Sequence, residues 1–138
     1  MLCEAYHIAG LFEFLHDGFE WTVFAPTNEA LESLIASIPK GKLNADNMAN
    51  LLLFHMVETV AYEFSDLRCE EWVPMSNGDF SYTHCRGMDK YQIGPGNGFG
   101  DNIVMLSDSP IILREDIGAC NGIIHTVDTV LLPTWWMH

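Results

Sequence analysis

Basic residues are scarce in this chain. Six lysines and arginines face nineteen aspartates and glutamates, a formal net charge of −13 over 138 residues. A surface of that sign repels phosphate backbones and anionic lipid, so nucleic acid and membrane surfaces are not expected partners. Long apolar runs are missing too. Stretches such as Leu51 to Phe54 fall far below the roughly 18 residues a span requires, so direct membrane insertion is not expected. No Cys-x-x-Cys motif and no Asn-x-Ser/Thr acceptor occurs, and Arg86-Gly87-Met88-Asp89 carries a methionine that breaks an Arg-Gly-Asp spacing. Met1-Leu2-Cys3-Glu4-Ala5 lacks a basic segment followed by an apolar core, so it does not read as a signal peptide. The chain starts partway into a helical pattern, which suggests a fragment of a longer secreted or anchored protein.

What is present is apolar and aromatic: 49% and 12% of residues. That composition is globular, and without an internal repeat or linker it predicts one domain over residues 1–138. Ile8, Leu11, Phe12 and Leu15 make one helical stripe over residues 4–17, closed by Asp17-Gly18. Glu20 to Ala25 is a short β-rich run ending at Pro26. Thr27 then offers a helix N-cap before Leu31, Leu34, Ile35 and Ile38. A third helix begins near Asn44 or Asp46 and aligns Met48, Leu51, Leu52 and His55.

Beyond residue 56 the period becomes two. Strand character appears at Val57 to Phe64, Glu71 to Met75, Asp79 to His84, Tyr91 to Ile93, Ile103 to Leu106 and Ile111 to Arg114. The last strand, Asn121 to Pro133, is apolar on both faces and reads as central, covered on both sides. Its Asn-Gly start tolerates positive φ. Helices followed by strands, without strand–helix alternation, predict an α+β fold with a largely antiparallel sheet or sandwich.

Ser76-Asn77-Gly78 predicts a three-residue hairpin loop with Gly78 left-handed. Counting outward from Met75 opposite Asp79 sets Cys69 opposite Cys85, within disulfide reach, so that pair is predicted to be oxidised. Cys3 and Cys120 are a possible second pair.

Three segments together resemble fasciclin-type (FAS1) domains. Thr22-Val23-Phe24-Ala25-Pro26-Thr27-Asn28-Glu29-Ala30-Leu31 is similar to the family's first signature. Asn121 to Asp128, continuing through Leu131-Leu132-Pro133, is similar to the second, and Leu51 to Val57 resembles the tyrosine–histidine segment between them. They fall in the family's order and span nearly the whole chain. The resemblance implies a FAS1-like β-sandwich or wedge packed against a helical N-terminal half, extracellular, secreted or anchored at the cell surface, without catalysis or cofactor. It implies a role in adhesion or matrix assembly, with a cell-surface or matrix protein as partner. By the same resemblance Phe54, His55, Asp116 and Ile117 map to positions linked to partner binding. The chain departs from the pattern at Phe54, which lacks the tyrosine hydroxyl, and at Cys120.

Each chemical candidate has a structural reading beside it. Thr22, Thr27, His125 and Asp128 are expected to form a structural polar core, His125 bonding to the threonine hydroxyls of the first signature. Asp116-Ile117 reads most simply as the end of a strand. His84 and Cys85 point to opposite faces of their strand, and Asp101 and Asp108 lack a calcium-loop spacing, so no metal is expected. Gly94 to Gly100 precedes no helix that could receive a phosphate, and reads as a mobile loop. Nothing brings Cys120 within reach of His125 as a nucleophile and base. Of Trp135 and Trp136, one is expected in the core and the other exposed. The leading function is an adhesion or matrix module; a polysaccharide-binding module is the alternative, with a small-molecule carrier or enzyme behind both.

Overall fold

The computed structural model describes residues 20–38, 44–58, 60–97, 109–119 and 122–133. The expected helix over 4–17, the strand at 103–106, Cys3, Cys120, Asn121 and the Trp135-Trp136 pair lie outside them. Strand β1 (Trp21–Pro26) leads to helix α1 (Asn28–Ser37), helix α2 (Ala45–Leu53) and β2 (Met56–Glu58). A hairpin meander follows: β3 (Glu71–Pro74), β4 (Phe80–Arg86) and β5 (Asp89–Ile93). Strands β6 (Ile112–Ala119) and β7 (Gly122–Val127) close the chain. One sheet runs β2-β1-β7-β6 and the other β3-β4-β5, so the described residues form an α+β architecture of two sheets and two helices.

Capping starts both helices as the sequence directs. The Thr27 hydroxyl accepts from the Ala30 N–H at 3.1 Å, and the Asn44 side chain from the Asn47 N–H at 2.9 Å. Leu31 of α1 packs with Leu51 of α2 and Val130, whereas Ile35, counted in the stripe, is exposed.

Strand β7 is central, as its two apolar faces require. It pairs parallel with β1, from Trp21 opposite Gly122 to Pro26 opposite Val127, and antiparallel with β6. On one face Phe24, Val127, Ile112 and Leu131 meet Val73 and Met75 of the second sheet. On the other, Trp21, Val23 and Ile124 pack with Leu52 of α2. The pairing is largely antiparallel, as expected; the one parallel pair among the described strands is β1–β7, which lie far apart in sequence and are free of hairpin geometry. Gly122 opens β7 opposite Trp21. Its requirement is steric: a Cβ there would lie 2.0 Å from Cδ2 of the Trp21 indole.

Two segments correct the strand expectations. Val57 to Phe64 is a strand only to Glu58; a 3-10 turn follows at Phe64–Asp66. Closing strand β7 stops at Val127, and residues 128–133 make their bonds to side chains and loops instead of a ladder. The described part of the glycine-rich stretch receives this tail. Asn97 Oδ1 accepts from the Gly94 and Leu132 N–H groups at 3.0 and 2.9 Å, while its Nδ2 donates to Val130 O. Gly94 is buried, and an added Cβ would sit 2.2 Å from Leu132 O. Residues 94–97 are thus a docked corner, not a mobile loop.

Hairpin β3–β4 has the expected loop. Gly78 is left-handed at φ 91°, and Met75 and Asp79 face each other through an N–H to O bond of 2.9 Å. In that register Trp72 pairs with Tyr82 and Glu71 with Thr83, and the Cys69–Cys85 disulfide closes at a Cα separation of 5.3 Å.

Candidate functional site

His55 stands at the junction of α2 and β2, where the helix hands the chain to the sheet. Its ring is buried, with Nδ1–H donating to Leu51 O at 2.7 Å and Nε2 accepting from the Leu131 N–H at 2.9 Å. Both nitrogens are used, so the ring is held neutral. Burial lowers its pKa to about 4, against a smaller opposing effect of the Leu51 carbonyl. Phe54 beside it is fully buried in the inter-sheet core. The tyrosine–histidine segment therefore offers no side chain to a partner at these two positions; the apolar stripe of α2 continues through them into the core.

A second histidine holds an irregular segment that has lost its ladder. His125 is buried, and its Nε2–H donates to Tyr62 O at 2.8 Å. Its Nδ1 accepts the Asp116 N–H at 3.2 Å. That N–H needs a partner because β6 bulges: Arg114 pairs with Thr126 and Ile117 with Ile124, so one extra residue is inserted. Asp116 takes a left-handed φ of 54° within the bulge. It is therefore mid-strand and not a strand end. Its carboxylate accepts the Phe64 N–H at 2.7 Å, and Ile117 is half-buried. Thr22, fully buried, donates to Val60 O at 2.7 Å and accepts the Tyr62 N–H at 2.8 Å. Lys90 donates to Phe64 O and Leu67 O at 2.5 and 2.7 Å. Backbone groups between residues 60 and 67 thus find side-chain partners instead of a neighbouring strand.

These contacts redistribute the expected polar core. Thr22 and His125 belong to it, but they meet through the Val60–Tyr62 segment instead of bonding to each other. Thr27 is half-buried and caps α1. Asp128 is exposed, where its carboxylate accepts the Ile111 N–H at 3.0 Å and the Thr129 hydroxyl at 3.0 Å. Burial, the largest effect on His125, lowers its pKa, with the Tyr62 carbonyl opposing.

The second sheet buries polar side chains on one face and exposes aromatic rings on the other. Its inward face buries Ser81, Thr83 and Gln92 beside Val73; Thr83 Oγ1 donates to Gln92 Oε1 and Gln92 Nε2 to Ser81 Oγ, each at 2.8 Å. Its outward face carries the rings: Trp72 and Phe80 are 50% and 48% exposed, with Tyr82 between them and Trp72 edge-on to Tyr82 at 5.0 Å. Glu70 ends this row. It accepts the Tyr82 hydroxyl at 2.5 Å and pairs with His84 at 2.9 Å, beside the disulfide. The Tyr82 bond holds the Glu70 carboxyl below its ordinary range and pushes the phenol up to about 12. At the other end Trp72, Phe80, Asp79 and Pro95 line a depression of about 430 Å³. Sequence reading missed this face. Alternation shows that residues 70, 72, 80, 82 and 84 share a side, but not which side faces water; the paired polar triplet Ser81, Thr83 and Gln92 was the available signal.

Among the described residues, no cluster of three His, Cys, Asp or Glu side chains could hold a metal, and no helix is long and apolar enough to cross a membrane. A larger groove of about 520 Å³ lies between α1 and the tail after β7. Among the described residues its lining includes Glu29, Ser33, Asp128 and Thr129 and no histidine, cysteine or lysine.

A family model described as "Fasciclin domain" matches residues 2–133. Transforming growth factor-beta-induced protein ig-h3 of Sus scrofa is 32% identical over 137 residues, covering 96% of this chain and 17% of that protein. Fasciclin-like arabinogalactan protein 17 of Arabidopsis thaliana is 29% identical over 116 residues, covering 81% of this chain and 23% of that protein. The solved FAS1 domain pair of the insect cell adhesion molecule fasciclin I superposes with a TM-score of 0.69 at 20% identity, over 94% of this chain and 44% of that one. The chain spans under a quarter of the length of these two curated relatives, and it belongs to the fasciclin domain family.

Proposed function

We propose that this chain is one extracellular adhesion or matrix-interaction domain that works through its surface and without catalysis. The observation that carries the reading is the outward aromatic face: Trp72 and Phe80 stand about half exposed while Ser81, Thr83 and Gln92 are buried behind them. A sheet normally sends its large apolar side chains to the core, and aromatic rings left out in contiguous array are characteristic of contact surfaces. Fasciclin I, of like fold, is a cell adhesion molecule. The buried histidines support the same reading from the other side, since all four ring nitrogens of His55 and His125 hold the fold together. The disulfide suits an oxidising compartment outside the cytosol. The partner is a cell-surface or matrix protein.

Coating a surface with the oxidised protein tests this. Attached cells, and separately soluble matrix proteins and polysaccharides, are counted against a coat of the reduced, unfolded chain. Dose-dependent retention of cells or of a matrix protein is expected from the folded coat alone. Equal retention by both coats, or by neither, overturns the reading.

A further inference from the structure

We propose that the Cys69–Cys85 disulfide is a thiol-sensitive latch on the outward aromatic face: reduction frees residues 69–72 and dismantles that face while the rest of the domain stays folded. The inference rests on the adhesion reading for its consequence and names a regulation of the same surface. Strand β3 is held in two different ways along its length. Its inner half is anchored by burial: Val73 and Met75 lie in the inter-sheet core, and the Met75 N–H donates to Asp79 O at 2.9 Å. Its outer end has no such anchor. Arg68, Cys69, Glu70, Glu71 and Trp72 are all exposed, at the end of an edge strand paired on one side only. The disulfide lies beyond the last ladder pair, Glu71 opposite Thr83, so it closes the open end of the hairpin.

Glu70, next to Cys69, takes a left-handed φ of 60°, a conformation that a residue with a Cβ keeps only where its surroundings impose it. Contacts with β4 impose it here. The Glu70 N–H donates to Thr83 O at 2.7 Å, and its carboxylate accepts the Tyr82 hydroxyl at 2.5 Å and pairs with His84 at 2.9 Å. The carboxylate contacts are open to competing water, so the disulfide is the strongest tie at this end. Opening it lets Glu70 relax to negative φ and withdraws Trp72 from its edge-on place against Tyr82, 5.0 Å between ring centres. Cys69 is exposed and Cys85 half-buried, so a small thiol reaches the Cys69 sulfur first. Its thiolate bonds to Cys69 Sγ, the Sγ–Sγ bond breaks, and Cys85 leaves as a thiolate that takes up a proton. A second thiolate attacks the small-thiol sulfur of the mixed disulfide and releases Cys69. The protein disulfide gains two electrons, and the two small thiols lose them as they join in a disulfide of their own.

The test compares hydrogen exchange in the oxidised chain with that of the same chain held in dithiothreitol without denaturant. Alkylation and mass spectrometry locate the freed thiols. Residues 69–72 should exchange at least about tenfold faster after reduction, the scale set by release of one strained backbone conformation. The Met75 and Ser76 amides, bonded to Asp79 O and Met56 O, should change by less than about twofold. Cys69→Ser with Cys85→Ser should show the same local opening without reductant, which separates this bond from any other effect of the thiol. On coated surfaces the reduced chain should bind its retained partner about tenfold more weakly, the scale of one lost interfacial tryptophan, and reoxidation should restore it. Faster exchange throughout the chain would make the bond a staple of the whole fold, and unchanged exchange would show that the face stands without it; either result overturns the inference. Local opening with undiminished retention also overturns it and leaves the adhesion reading standing. No retention by the oxidised chain defeats the adhesion reading, while the exchange data still decide whether the latch opens.

Discussion

Acidification should unfold this domain mainly through one histidine. In the folded chain His55 Nε2 must accept the Leu131 N–H, so a proton on that nitrogen sets two donors against each other inside the core. The pKa falls from 6.5 to about 4 on folding. Between those values the unfolded chain binds a proton that the folded chain refuses, so stability rises with pH. His55's contribution is intact above about pH 6.5 and fully lost below about pH 4. A shift of that size corresponds to about 3 kcal/mol, lost at up to roughly 1.4 kcal/mol per pH unit. His125, whose pKa is also lowered by burial, acts in the same direction. Glu70, lowered by the Tyr82 hydroxyl, adds loss only as pH falls below its ordinary carboxylate range, and its exposure keeps that part small. Urea unfolding followed by tryptophan fluorescence at pH 7.5, 6, 5 and 4.5 should show the midpoint falling with an unchanged slope of free energy against denaturant. His55→Gln keeps an acceptor that does not titrate. It is expected to start about 1–2 kcal/mol less stable at pH 7.5, from imperfect replacement of buried bonds, and to lose less on acidification. A wild-type midpoint that stays flat from pH 7.5 to 4.5, or a variant as steep as wild type, would refute the reasoning.

Two further outcomes probe other supports of the fold. Cys69→Ser with Cys85→Ser opens a link across 16 residues and should cost about 3 kcal/mol, read as a drop in melting temperature that reductant does not extend. Lys90→Met removes the donor to Phe64 O and Leu67 O while keeping a similar stem, so it should cost about 1–3 kcal/mol and raise hydrogen exchange around residues 60–67; unchanged exchange there would show that Thr22, His125 and Asp116 suffice to hold the segment.

How far the sequence could be read depended on the range of the interaction. Gly78 in a three-residue loop sets the β3–β4 register locally, and that register alone brings Cys69 to Cys85. Thr27 and Asn44 cap their helices through bonds three residues long. The centre of the first sheet was legible because β7 is apolar on both faces. His125 could be marked as a structural pin from its place in that strand, but its acceptor, Tyr62 O, lies 63 residues away in a segment with no period of its own. Asp116 was misread as a strand end because a bulge leaves no pattern in polar, exposed residues. Phe54 and His55 are the sharpest case: motif resemblance maps them to partner-binding positions, while the place of His55 on the helical stripe points to the core, where both are buried.

Burial separates two kinds of information in this chain. The signature residues near both ends, Thr22, Phe24, His125 and Val127, are fully buried and bond or pack against one another's neighbours. Their chemistry specifies the first sheet and the segment it holds, and little of it reaches the surface. The aromatic face belongs to the second sheet, between the signatures, where Trp72, Phe80 and Tyr82 follow the pleat of the β3–β4 hairpin and Tyr82 bonds Glu70. Substitution there alters the exposed rings without touching the pins that fix register. A fold built this way can keep its core motifs while one hairpin varies, so a test of the proposed adhesive role starts with residues 70–84 before the motifs that identify the domain.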